Sequence, residues 1–256
     1  MQPSREQVAR RALTLLDLTE LGDEATTQQV ESLCSRAVGP HGSVAAVCVW
    51  PRHVAQAVEL LWGSSVRVAT VVNFPTGNEA VHDVLAMTSQ SLADGADEIA
   101  LVLPYRALMA GDLAHAAAMV DHVRNAVPTD SHRLKVILET GELGHPDLIG
   151  EAARLAIEHG ADFVKTSTGK TPRSASLQAT GIMLQAIRQA SRAVGLKPSG
   201  GIRTLDDAAA YLQQADDFMG AQWATPLTFR FGASGLLDAL IATIEGATTE
   251  ATEGAY

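Results

Sequence analysis

Apolar residues along this chain fall into short continuous runs separated by amphipathic stretches. Runs rich in β-branched residues occupy 44–50 (VAAVCVW), 67–72 (RVATVV), 98–103 (EIALVL), 134–139 (LKVILE), 162–166 (DFVKT) and 195–198 (GLKP). A weaker run lies at 228–231 (TFRF) and a short early one at 15–19 (LLDLT). Between them, 78–93, 113–126, 147–159, 177–194 and 205–212 carry apolar residues at helical spacing. Strands alternating with helices predict βαβ units on a parallel sheet. Strands buried on both faces read as unbroken apolar runs, as these do.

Eight such units in a chain of 256 residues match the size of a closed (β/α)8 barrel, an α/β fold. An open doubly wound sheet is the competing architecture, but no GxGxxG follows an early strand. No linker or break in composition interrupts the pattern. The expectation is one (β/α)8 domain over residues 1–246, with an N-terminal helical segment, and a flexible tail over 247–256, which is small, polar and acidic.

Composition narrows the function. Hydrophobic residues make up 46% and charged residues 19%, which excludes disorder over the whole length. A net charge of −10 argues against nucleic acid as a partner, because phosphate contacts need clustered Lys and Arg. No stretch of apolar residues is long enough to span a membrane, and the N-terminus has no apolar signal segment. Cys34 and Cys48 are the only cysteines, which fits a reducing cytoplasm. Eight scattered His residues form neither HxH nor HExxH, so neither a metal nor any other cofactor is expected. Cys48, inside an apolar run, reads as a small buried hydrophobe.

Among the basic residues there are only four lysines, Lys135, Lys165, Lys170 and Lys197, against fifteen arginines. All four fall in one window. Arginine replaces lysine readily on a solvated surface, but not where a neutral amine must attack a carbonyl. Lys165 and Lys197 end predicted strands, at the barrel end where active sites are built, whereas Lys135 lies nearer the bottom of its strand. Two lysines facing one barrel mouth would destabilise each other's charge, and desolvation would add to that, giving a nucleophilic amine. The competing reading pairs a strand lysine with a carboxylate such as Asp17 or Glu139.

Three glycine-containing turns follow the last three strands, at 167–170 (STGK), 199–203 (SGGIR) and 232–235 (GASG). Glycines let backbone N–H groups approach an anion, a following helix adds its positive end, and late-strand loops are a frequent phosphate site in such barrels. Lys170 and Arg203 stand in two of these turns.

The strings DLTELGDEAT, AAVCVWPR, VATVVNFPTGN, GADEIALVLPYRALMAG, KVILETGEL, GADFVKTSTGK, KPSGGIRT and FRFGAS occur in an order and spacing that resemble the 2-deoxyribose-5-phosphate aldolases, from about Leu15 to Leu240. The resemblance implies a metal-free class I aldolase on a (β/α)8 barrel. It implies Lys165 as the Schiff-base lysine and Lys197 as the second lysine, which perturbs the first and takes part in proton transfer. It also implies Gly169, Lys170, Gly200, Gly201, Arg203, Gly232 and Ser234 as phosphate-binding positions. Tyr256 matches a C-terminal tyrosine that folds over the site in some members. One position departs. The family usually carries a relay Asp where this chain has Ala100, and Glu98, one inward position lower, stands too far down the strand to replace it directly. Gly235, where a Ser is common, is a smaller departure.

The reading is therefore an aldehyde-lyase that cleaves 2-deoxyribose 5-phosphate to glyceraldehyde 3-phosphate and acetaldehyde. Two alternatives remain open: a catalytically weakened phosphosugar-binding relative, and an enzyme using the same enamine for another carbon–carbon bond reaction. The expected partners are small aldehydes and a sugar phosphate, with no nucleic acid and no membrane. Apolar helix faces serve a core or a homodimer contact equally well.

Overall fold

A computed structural model describes residues 3–246. Eight parallel strands form it: β1 (Leu16–Glu20), β2 (Ala46–Val49), β3 (Arg67–Val72), β4 (Glu98–Val102), β5 (Arg133–Ile137), β6 (Phe163–Lys165), β7 (Gly195–Lys197) and β8 (Phe231–Ala233). They pair in the order β8-β1-β2-β3-β4-β5-β6-β7. Parallel bridges Leu196–Phe229 and Ser199–Gly232 join β7 to the chain of β8 and close the cylinder. The protein is a (β/α)8 barrel. Every residue of β2 and β4 is buried, because side chains face either the barrel interior or the surrounding helices. This double burial is why the strands read as continuous apolar runs.

The helices are α1 (Arg5–Thr14), α2 (Thr27–Ala37), α3 (Val54–Leu60), α4 (Val81–Ala93), α5 (Leu113–Ala126), α6 (Pro146–Glu158), α7 (Leu177–Gln189), α8 (Leu205–Met219) and α9 (Leu236–Ile244), with short helical turns between some of them. Their starts are specified locally. Ser4 with Gln7, Thr26 with Gln29, and Thr204 with Asp207 form reciprocal capping boxes at α1, α2 and α8. The helix α1 packs against α8 and α9 outside the cylinder. Among the described residues, no helix is long and apolar enough to cross a membrane.

Several boundaries differ from the expected ones, three of them near the end of the chain. The last strand begins at Phe231, not at residue 228: the N–H groups of Thr228 and Phe229 donate to the Thr225 carbonyl at 2.9 and 2.8 Å, closing a turn, and Phe229 makes only an isolated parallel bridge to Leu196. The helix expected at 205–212 continues to Met219, burying Ala215 and packing Phe218 on the core. The helix expected at 177–194 stops at Gln189, where Ala190 turns extended.

Packing at the floor of the barrel is tight. A Cβ at Gly195 would stand 2.3 Å from the Phe163 ring, which is itself buried on the neighbouring strand. Gly195→Ala is expected to lower stability by about 1–3 kcal/mol through overpacking, read as a lower urea midpoint with unchanged slope. An unchanged midpoint would show that the floor yields.

Candidate active site

Register brings the two strand-end lysines together. In the parallel β6–β7 pair, Lys165 and Lys197 are direct partners, as are Val164 and Leu196 beside them. Paired residues on neighbouring parallel strands point the same way with Cα atoms roughly 5 Å apart. Lys165 is 2% exposed and Lys197 0%. Both amines therefore stand inside the cylinder, near the C-terminal ends of the strands.

Their surroundings differ. Lys197 donates to Oδ2 of Asp17, on β1. The same oxygen accepts from Lys135 Nζ at 2.6 Å, and Lys135 also meets Glu98 Oε2 at 2.5 Å. Arg230 closes the set: it donates to Asp17 Oδ1 at 2.5 Å and to Glu98 Oε1 at 2.9 Å. All five side chains are buried. Lys165 has no carboxylate partner among the described residues. The sequence left two readings for the strand lysines, and each describes a different residue: Lys197 and Lys135 are ion-paired, Lys165 is not.

Burial of an isolated ammonium is costly, and a group without a partner meets that cost by losing its proton. Burial, then the neighbouring Lys197 and Lys135 charges, bring the Lys165 amine down to about 7. For Lys197 burial pulls the same way, but Asp17 outweighs it and holds this ammonium above the ordinary lysine value. Asp17 stays well below the ordinary carboxylate range. Burial would raise it, and Lys135, Lys197 and Arg230 together overcome that. Two adjacent lysines thus differ in how firmly they hold a proton, because one carboxylate reaches only one of them.

Above the lysines the last three strand-to-helix turns enclose a cavity of about 510 Å3. Gly169, Lys170, Gly200, Gly201, Arg203, Gly232 and Ser234 all line it. Lys170 Nζ is held by Asp23 at 2.6 Å, in an exposed pair at the rim. Gly200 has φ +84 and no room for a Cβ, which would meet the Ser174 hydroxyl at 2.6 Å. Gly232 has a different reason to be glycine: a Cβ there would stand 3.0 Å from Lys197 Cε and 2.5 Å from the Ser199 hydroxyl. Its lack of a side chain makes room for the lysine as well as for a ligand. The helix α9 begins at Gly235 with no side-chain cap, so its first N–H groups have no side chain to bond at the cavity edge. At α8, by contrast, Asp207 takes the N–H groups of Arg203 and Thr204.

Glu139 sits elsewhere than the sequence suggested. It pairs with no lysine. Left-handed at φ 57 and fully buried, it accepts from the Thr168 N–H at 3.2 Å and from the Thr168 and Thr171 hydroxyls, fixing the 167–170 turn. Ala100 is buried on β4, two residues beyond Glu98 and next to Lys135 in register. Glu98 does not reach Lys197; it serves Lys135 and Arg230. Tyr256 lies outside the described residues. Arg230 was not singled out from the sequence. Its signal was an arginine inside an apolar run, two residues before the inward-facing Gly232. Among the described residues, no cluster of His, Cys, Asp and Glu side chains is arranged to hold a metal ion.

The model of the DeoC/LacD family aldolases matches residues 11–240. The chain belongs to this aldolase family. It is 51% identical over 248 residues to a deoxyribose-phosphate aldolase of Agrobacterium fabrum, covering 96% of this chain and 95% of that one. The crystal structure of a Toxoplasma gondii protein assigned as a deoxyribose-phosphate aldolase superposes with a TM-score of 0.87 at 26% identity, covering 96% and 97% of the two chains. A tetrameric deoxyribose phosphate aldolase from Aeropyrum pernix shares the fold, with a TM-score of 0.72 at 23% identity over 94% and 92%. As a member, this chain is an aldolase of the lyase class.

The shared carboxylate should dominate the integrity of the site. Asp17→Asn would leave three buried cations facing one carboxylate, and is expected to cost about 3–5 kcal/mol in chemical unfolding. A loss below about 1 kcal/mol would show that the cations do not depend on Asp17.

Proposed function

We propose that this aldolase cleaves 2-deoxyribose 5-phosphate reversibly through an imine on Lys165. The observation that carries the reading is a buried lysine without a carboxylate, paired in register with a second, ionised lysine. The neutral Lys165 amine attacks the aldehyde carbon C1. Loss of water, assisted by a proton from the nearby Lys197 ammonium, gives the protonated imine. That cation is an electron sink. The C3 hydroxyl gives up its proton to the Lys197 amine left neutral by the previous step, the C2–C3 bonding pair moves to form the C1–C2 enamine, and glyceraldehyde 3-phosphate leaves. Protonation at C2 and hydrolysis release acetaldehyde and restore the amine. Lys197 acts as donor and, by its charge, keeps Lys165 unprotonated.

The substrate phosphate has a place above the amine. The three turns offer backbone N–H groups, Arg203, Ser234 and the uncapped start of α9. A phosphate dianion would draw Lys170 from Asp23, because an exposed surface pair of this kind is worth little. Binding remote from the reacting carbons then orients them, which is how positioning lowers the barrier. No resident cofactor takes part. Cys34 and Cys48, both buried as free thiols, fit a reducing cytoplasm.

Ala100 supports a second reading, a weakened relative that binds the sugar phosphate and turns over slowly. The structure supplies a reason to prefer the active enzyme: Lys197 already has a carboxylate in Asp17, so its charge does not depend on position 100. Ala100→Asp separates the two. The active enzyme should change turnover by less than about threefold, while a weakened relative should gain on the order of 10²–10⁴, the worth of a general acid–base group.

Borohydride reduction in the presence of acetaldehyde tests the main reading. A two-carbon adduct is expected on Lys165 alone by peptide mass mapping, absent in Lys165→Arg. Since only the free amine condenses, trapping should rise with pH through about 7, the value to which burial and Lys197 bring it. An adduct on another lysine, or trapping that begins only near pH 10, would overturn the proposal.

A further inference from the structure

The buried ion set extends beyond anything that a substrate in the upper cavity touches. Its lower members, Glu98 and Arg230, lie at the floor of the barrel, above a separate cavity of about 280 Å3 that opens at the opposite end from the phosphate turns. Counted together, Lys135, Lys197 and Arg230 bring three positive charges against two negative ones on Asp17 and Glu98. The five are one object. Each carboxylate is shared between Arg230 and Lys135, and Asp17 hands the set on to Lys197. One positive charge is left over, within a buried cluster that ends beside Lys165.

We propose that Arg230 and Glu98 are positioning residues for the lysine chemistry: Arg230 supplies the charge that the buried carboxylates leave unbalanced, Glu98 sets how much is left, and their balance fixes the protonation state of Lys165. The inference rests on the imine reading of Lys165 given above. The groups facing Lys165 are Lys197 on β7, Lys135 on β5, Asp17 on β1 and the Cys48 thiol on β2. Those lining the cavity beneath Arg230 and Glu98 include Arg67, Asp97, Asp130 and Arg133. Arg67 and Asp97 pair with each other at 2.8 Å. The Phe163 ring, 5.3 Å from Lys135 and 5.8 Å from Arg230, flanks the ions with apolar surface. Charge changes in such surroundings are poorly screened and act over distances that water would suppress.

Two features make Arg230 the controlling member. Its guanidinium cannot release its proton, so its charge is constant at every pH at which the enzyme folds. Its two arms hold Asp17 Oδ1 and the Glu98 carboxylate, which leaves Asp17 Oδ2 for the two lysines. Replacing it by a neutral residue makes the set electrically balanced, two cations against two anions, and lets Lys165 take up a proton more easily. Removing Glu98 charge in the same protein restores the surplus.

The test is the pH dependence of acetaldehyde trapping by borohydride, followed as mass on Lys165, in the wild type, Arg230→Met, Arg230→Lys and the double variant Glu98→Gln with Arg230→Met. Circular dichroism checks that each is folded, and Arg230→Gln replaces Arg230→Met if the latter is not. The acid limb of Arg230→Met should move up by about one pH unit, so that trapping well below the midpoint falls roughly tenfold. Arg230→Lys and the double variant should return to within about 0.3 of the wild-type midpoint, the double variant despite having lost every contact between the two side chains. A purely structural role gives the opposite order, with the double variant the most disturbed. That order, or an Arg230→Met limb that stays in place, overturns the inference. If the wild type forms no adduct on Lys165, the imine reading itself fails; a normal adduct whose acid limb ignores Arg230 defeats only the charge-balance inference.

Discussion

A barrel interior that already holds more cations than anions resists protonating another lysine. That constraint organises the site. Lys165 ends β6 beside Lys197, and the strand register leaves neither side chain an alternative direction. Asp17 reaches Lys197 and not Lys165. The proton therefore stays where the carboxylate is, and the unpartnered amine gives its proton up. In the proposed reaction no special bond activates Lys165; its reactivity would follow from the absence of a partner in a place where an unpaired charge is expensive.

The same constraint assigns a cost and a use to the rest of the interior. A buried ion set adds little stability compared with apolar residues of equal volume, since desolvation offsets much of the attraction. Leu, Val and Phe would fill the cylinder at least as well. The ions instead divide the barrel into a floor with Glu98 and Arg230, a middle layer with the two lysines, and a mouth where three turns and the start of α9 surround the cavity proposed for the phosphate. Gly232 connects the last two, because a side chain there would collide with Ser199 and crowd Lys197.

Much of this was legible in the sequence. Four lysines in one window, two of them closing apolar runs, pointed to the barrel interior where Lys165 and Lys197 stand, and the three glycine turns to the rim of the cavity above them. Strand runs were easy to read because double burial makes them uniformly apolar. The last strand starts three residues on from where its apolar run began, because Phe229 makes only a single bridge to Leu196 before the regular strand starts at Phe231. The ion set was hidden for a geometric reason. Asp17 and Arg230 meet only because β1 and β8 are neighbours once the cylinder closes, and no local pattern records a contact across almost the whole chain. Glu139 was misread for a similar reason: its backbone is left-handed, which turns its carboxylate toward the 167–170 turn and away from the lysines.

The proposed chemistry needs a Lys165 amine that loses its proton near pH 7 beside a Lys197 that stays charged. Side-chain nitrogen NMR on protein labelled at lysine measures this without substrate or turnover, and only four lysines need assignment. The account requires one resonance that titrates near 7, lost in Lys165→Met, and a Lys197 resonance that stays in the ammonium form beyond the ordinary lysine value. A Lys165 signal that remains ammonium up to pH 10 would contradict it.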